Sequence, residues 1–199
     1  MPQEPDLPPH VKAQRTRILM AAVALAIALL VMMFFGKTPT FSQGRLNAGH
    51  MAAFVYKSEP VELPSVKFVD AKGEAKTLAD WKGRTVLLNL WATWCAPCRK
   101  EMPDLDKLQA ELGGDKFEVI ALGIDRGGVK AAEKFLEQVA AKKLALYVDS
   151  TAKMAGDLRV IGLPATLLID ADGREVGRLL GPAEWASDEA KALIRSVMR

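Results

Sequence analysis

The sequence predicts a mixed α/β sheet flanked by helices, and three observations predict it. Short apolar runs of strand length alternate with segments of helical periodicity. The last two strands read as a hairpin, and both cysteines of the chain stand where a strand runs into a helix.

The domain opens with an N-terminal hairpin extension, in which residues 66–69 and 75–78 flank the turn Asp70-Ala71-Lys72-Gly73. Thr85 to Trp91 is a buried strand. A helix follows to about Leu112, and Gly113-Gly114 ends it. Residues 117–124 form a second apolar strand, and the loop Asp125-Arg126-Gly127-Gly128 leads to a helix with Val129, Ala132, Phe135, Leu136 and Val139 on one face. A short strand at 144–148 and a short helix at 152–158 come next. Strand 165–169, the tight turn Asp172-Gly173 and strand 175–180 make the closing hairpin. Ser187 is placed to cap a final helix whose first turn carries Asp188 and Glu189.

Two prolines interrupt this pattern. Pro103 falls inside the first long helix, where it removes one hydrogen bond and is expected to bend it. Pro164 directly precedes a central strand, which suits a first strand residue or a cis bond.

Trp94-Cys95-Ala96-Pro97-Cys98 carries the chemistry. Cysteines three apart at a helix start sit one turn from each other. The unpaired N–H groups there favour a thiolate on the first, and Arg99 and Lys100 add positive charge nearby. Structural zinc is disfavoured, because His10 and His50 are the only histidines and neither has ligand spacing. A purely structural disulfide closing so short a loop would restrain the unfolded chain little. Copper binding by the two sulfurs stays open, although Met102 falls on the apolar helix face with Leu105, Leu108 and Leu112.

The N-terminal third has a different character. Residues 1–17 are a proline-rich polar tail expected in the cytoplasm. From Ile18 to Phe35 runs an uninterrupted stretch of 18 apolar residues, which as a helix spans about 27 Å and is expected to be an N-terminal transmembrane helix. Lys12, Arg15 and Arg17 precede it and only Lys37 lies close behind, so the positive-inside bias places the rest of the chain across the membrane. No small-residue cleavage site ends the run, which favours an uncleaved signal anchor over a signal peptide. Residues 36–60 are irregular and read as a linker. Within it, Met51 to Tyr56 is apolar enough to pack on the domain or lie on the bilayer. Residues 61–199 form one domain of ordinary size. Two cysteines in one motif leave no spare thiol for mispairing in an oxidising compartment, and a net charge of +3 spread along the chain gives no reason to expect nucleic acid.

The run Leu88-Asn89-Leu90-Trp91-Ala92-Thr93-Trp94-Cys95-Ala96-Pro97-Cys98-Arg99-Lys100-Glu101-Met102-Pro103, with Gly162-Leu163-Pro164 before the hairpin, resembles the thioredoxin fold. Within that superfamily it is similar to the membrane-anchored TlpA group, and Gly181-Pro182-Ala183-Glu184-Trp185-Ala186-Ser187 strengthens the likeness. The resemblance implies a thioredoxin-like sheet and a thiol:disulfide oxidoreductase that needs no cofactor beyond its own cysteine pair. Cys95 is expected to be the exposed nucleophile and Cys98 the buried resolving thiol. Pro164 is expected to be cis and to lie against the disulfide, with the Leu163 backbone available to a bound substrate strand. Trp94, Ala96, Pro97 and Leu163 are the expected substrate contacts. Glu101 matches an acidic residue that tunes the thiols in anchored reductases; its plain alternative is a solvated helix glutamate. Asn89 stands where cytosolic thioredoxins carry a buried aspartate, so a proton acceptor for Cys98 is missing from its usual place. The second cysteine pair that TlpA relatives can carry is absent.

The expected function is that of a single-pass protein of the bacterial inner membrane. Its monomeric catalytic domain would stand in the periplasm and reduce disulfides in client proteins. The resemblance points to clients in haem-copper oxidase assembly or cytochrome c maturation and to a transmembrane thiol-electron donor. A disulfide-donating oxidant, a Cu(I)-binding chaperone using the same cysteines and a redox-inert interaction module are the alternatives.

Overall fold

The computed structural model describes residues 46–199, together with residues 19, 20, 22 and 23. The predicted cytoplasmic tail and the greater part of the predicted membrane segment lie outside the described residues. Among the described residues, no helix is long and apolar enough to cross a membrane.

Eight strands form one sheet: β1 (Val55–Glu62), β2 (Lys67–Asp70), β3 (Ala75–Thr77), β4 (Thr85–Trp91), β5 (Phe117–Gly123), β6 (Leu146–Val148), β7 (Ala165–Ile169) and β8 (Arg174–Leu180). Four helices accompany them: α1 (Ala96–Leu112), α2 (Gly128–Gln138), α3 (Lys153–Asp157) and α4 (Asp188–Arg195). The strand order is β1-β8-β7-β4-β5-β6-β2-β3, with β4, β5 and β6 parallel and the rest antiparallel. The central strand β4 is buried along its whole length. That is why it reads as a continuous apolar run rather than an alternating one.

Alternation along β4 sorts the helices between the faces. Val86, Leu88 and Leu90 join Phe68, Trp81, Tyr147, Met154 of α3 and Leu158 just beyond it in one core. On the other face Asn89 bonds to Glu101 of α1, and Trp91 stacks on Phe135 of α2 with ring centroids 4.4 Å apart. Thr85, on that same face, donates to the carbonyl of Val197 beyond α4. Helix α1 continues through Pro103, and Ser187 caps α4 by accepting from Ala190 N at 3.2 Å.

The predicted linker needs correction at its C-terminal end. Residues 49–51 form a 3-10 turn, and β1 pairs with β8 from Val55↔Arg178 to Glu62↔Arg174. Met51 and Phe54 are buried, so the apolar stretch packs on the domain, which begins before residue 51 rather than at 61. The physical reason is burial. Phe54 covers β8 so closely that a Cβ on Gly177 would lie 2.6 Å from its ring. Strand β1 escapes a pattern search because it is an edge strand, exposed over most of its length and interrupted by a bulge and Pro60.

Candidate active site

The cysteine motif begins four residues after β4, where the chain leaves the sheet and turns into α1. Cys95 is the N-cap of α1 and Pro97 occupies its first turn, where the missing N–H costs no helical hydrogen bond. Cys95 and Cys98 are joined in a disulfide with an S–S length of 2.01 Å and Cα atoms 5.3 Å apart. The sulfur of Cys95 also accepts a hydrogen bond from Cys98 N at 3.2 Å. Cys98 is fully buried. Cys95, expected to be exposed, retains only 4 % exposure in this oxidised state, because its sulfur is engaged by both the sulfur and the amide of Cys98.

Trp94 is 73 % exposed beside the disulfide, and Ala96 and Pro97 are exposed as well. The loop before Cys95 is tied down by Asp125, which accepts from Thr93 N at 2.8 Å and from Gly127 N at 2.9 Å. Arg99 is drawn toward α2: its guanidinium lies 4.6 Å from the centroid of the Phe135 ring and donates to Gln138.

The Leu163–Pro164 peptide bond is cis. Because Leu90 pairs with Ala165, the strand register brings Pro164 to the end of β4 from which the cysteine motif departs. Pro164 is buried, Leu163 is half-buried and Ile161 is 91 % exposed, so apolar surface continues outward from this corner.

Glu101 lies one helical turn beyond Cys98 and is 3 % exposed, not solvated. Asn89 Nδ2 donates to its Oε1 at 2.8 Å; Ala183 N and Trp185 Nε1 donate to its Oε2 at 3.1 and 3.2 Å. No cation among the described residues forms an ion pair with it. Burial therefore dominates and pushes its carboxyl up to about 7, against the three hydrogen bonds that favour the ionised form. Asp104 adds to the rise.

Asn89 completes the arrangement. Its amide nitrogen is shared between Glu101 and Thr166 Oγ1, at 2.8 and 2.9 Å, while its Oδ1 is buried without a partner among the described residues. An amide carries both donor and acceptor, so rotation about its terminal bond lets it face either an ionised or a protonated carboxyl. An ionised aspartate at this position could not donate to an ionised Glu101. Sequence reasoning found Glu101 and Asn89 but missed Thr166, which carries no local signal, and Ala183 and Trp185, whose only signal was the closing Gly-Pro-Ala-Glu-Trp string.

Comparisons with known proteins agree with this geometry. The Redoxin family model matches residues 59–194. The thiol-disulfide oxidoreductase ResA of Bacillus thuringiensis (strain Al Hakam) is 37 % identical over 136 residues, which is 68 % of this chain and 76 % of that protein. Among solved structures, a DsbE-type thiol:disulfide interchange protein of Chlorobium tepidum superposes with a TM-score of 0.60 at 28 % identity, covering 70 % of this chain and 95 % of the other. A DsbF homologue of Corynebacterium diphtheriae gives 0.58 at 25 % identity, over 73 % and 91 % of the two chains. With the disulfide at the head of α1, these likenesses lead to one conclusion: the chain belongs to the Redoxin family and is a thioredoxin-superfamily thiol:disulfide oxidoreductase working through its own cysteine pair.

Proposed function

We propose that the protein is a membrane-anchored reductant of disulfides in client proteins, with residues 18–35 as its anchor and its catalytic domain in the periplasm. The observation that carries the proposal is the buried Glu101 carboxyl, one helical turn from Cys98 and tuned to about 7. A reductase must deprotonate its buried second thiol at neutral pH, and a base with that value is matched to the task.

In the first step the Cys95 thiolate, favoured by the N-terminus of α1, attacks one sulfur of the client disulfide. A bond forms between the Cys95 sulfur and that client sulfur, and the other client sulfur leaves as a thiolate. In the second step Cys98 gives its proton to Glu101 and attacks the Cys95 sulfur. The Cys95–Cys98 bond forms, the bond to the client breaks, and the electron pair leaves on the second client thiolate. Two electrons pass from the cysteine pair to the client. Trp94, Ile161 and the backbone of Leu163 form the surface against which the client segment rests. The resemblance and the anchor together point to clients in haem-copper oxidase assembly or cytochrome c maturation. They point also to recharging by a transmembrane thiol carrier, with the protein acting as a monomer.

The test has two parts. Cys98→Ala should trap covalent client complexes through Cys95, whereas a variant that traps nothing while the wild type still reduces clients would overturn the mechanism. The reduction potential of the pair fixes the direction. A value of about −200 to −270 mV supports a reductant, and one near about −120 mV would make the protein a disulfide donor.

A further inference from the structure

Which client segments the site favours depends on the surface to either side of the disulfide, and the two sides differ in chemistry. Strands β5 and β7 flank β4. Because β5 runs parallel to β4 and β7 antiparallel, the loop after β5 and residues 161–164 before β7 reach the same end of the sheet, where the cysteine motif departs. The β7 side presents the exposed apolar side chain of Ile161. The β5 side presents positive charge.

A pocket of about 490 Å³ opens beside Trp94, with Ile124, Asp125, Arg126 and Ala131 in its lining. Asp125 ties this loop to the redox motif, because Thr93, whose amide it accepts at 2.8 Å, stands two places before Cys95. Its other oxygen accepts from Gly127 N at 2.9 Å. Trp94, Ile124 and Ala131 give the pocket apolar walls, and Arg126 gives it an exposed guanidinium. Ala131, Phe135 and Gln138 follow one another along one face of α2. Arg99 lies over the Phe135 ring and donates to Gln138, so it carries positive charge one helical turn farther along the same edge. Among the described residues, neither Arg126 nor Arg99 has a carboxylate within ion-pair distance. A guanidinium is a planar fork that matches a carboxylate in shape as well as charge.

We propose that this pocket is a specificity site for client segments, in which Arg126, reinforced by the charge of Arg99, receives a glutamate or aspartate side chain beside the client's reactive cysteine. The role rests on the reductase reading, in which Cys95 attacks client disulfides. A client segment crossing the end of β4 places its cysteine at Cys95, an apolar side chain toward Ile161 and an acidic one at Arg126. Charge complementarity of this kind selects among clients and speeds their encounter more than it adds affinity.

The test uses the reduced full chain and two symmetric peptide disulfides, each joining two copies of a short peptide through a central cysteine. One peptide carries glutamate on both sides of the cysteine and the other glutamine. Each turnover yields two peptide thiols and the Cys95–Cys98 disulfide, and the thiols are separated by chromatography after an acid quench. Dividing each rate by that of dithiothreitol on the same peptide removes differences in intrinsic reactivity. Wild type should favour the glutamate peptide about fivefold at low salt, the upper range for an exposed ion pair. Arg126→Gln removes no hydrogen bond or ion pair among the described residues and should bring the preference below about twofold. Lys82→Gln removes the same charge from an exposed position before the start of β4, at the end away from the cysteines, and should keep the preference. Equal wild-type rates, a preference that survives Arg126→Gln, or one lost equally in Lys82→Gln would overturn the specificity site and leave the reductase reading standing. Reduction of neither peptide would overturn the reductase reading itself, and the site with it.

Discussion

Two glutamates near opposite ends of β4 make almost the same contacts and carry opposite meaning. Glu118 pairs in register with Val86, near the start of β4, and accepts from Trp81 Nε1 at 2.8 Å and Tyr147 OH at 3.0 Å. Glu101, beside Asn89 near the other end, accepts from Trp185 Nε1 and an amide. The difference is one guanidinium. Arg84 lies 2.9 Å from Glu118, whereas Glu101 has only neutral donors. Burial and the charge on Glu118 hold the Tyr147 phenol well above its ordinary range, so it stays a donor to Glu118. A carboxylate with a cation is a structural tie. One held by neutral donors alone is pushed by burial toward its neutral form.

The comparison breaks most visibly at Glu101→Gln. The Glu101 carboxyl sits near 7 when folded, above its unfolded value of 4.5, so between those values the native state keeps a proton that the unfolded chain has lost. Stability therefore falls as pH rises through that window, by about 3 kcal/mol in total, and is level above it. Gln keeps the shape and removes the titration. Urea unfolding should show the variant gaining on wild type by about that amount as pH rises from below 4.5 to above 7. A gap that does not vary with pH would contradict the account.

Arg84→Met is the converse change and leaves Glu118 without its cation. We expect a loss of about 2 kcal/mol, less than for a fully buried pair because Arg84 is one-third exposed. The pH profile of thiol exchange should stay that of wild type, since the change is at the other end of the strand. Asn89→Asp sharpens the contrast at the active end. It sets a second carboxylate within 2.8 Å of Glu101 Oε1, where the two cannot readily both ionise. The upper limb of the exchange profile should move alkaline by about one pH unit, as for any carboxyl pair sharing a proton. The smallest effects belong to Trp185→Phe and Trp81→Phe, each losing one indole hydrogen bond worth about 1 kcal/mol. Only Trp185→Phe should raise the pH midpoint of exchange, because its N–H favours the ionised form of Glu101.

Much of the fold was legible because its signals are local. The Asp70-to-Gly73 and Asp172-Gly173 turns, the Ser187 cap and the apolar run of β4 each lie within one element and follow from backbone chemistry. The cysteine pair at the head of α1 was legible for the same reason. Strand β1 was not, because Val55–Glu62 mixes charged, polar and proline residues, and only pairing with β8 and the burial of Phe54 make it part of the sheet.

The sequence by itself determined the alternation of strands and helices, the redox pair and the presence of an acid three residues after it. Helical spacing and turn chemistry act over a few residues, so they can be read in order along the chain. Tertiary structure decided what that acid is. Trp185 and Ala183 reach Glu101 from more than eighty positions away, and Asn89 approaches from the neighbouring strand. Whether a carboxyl is solvated or buried without a cation depends on which distant groups close around it. No local pattern encodes that, yet it separates a surface glutamate from a buried carboxyl pushed up to about 7.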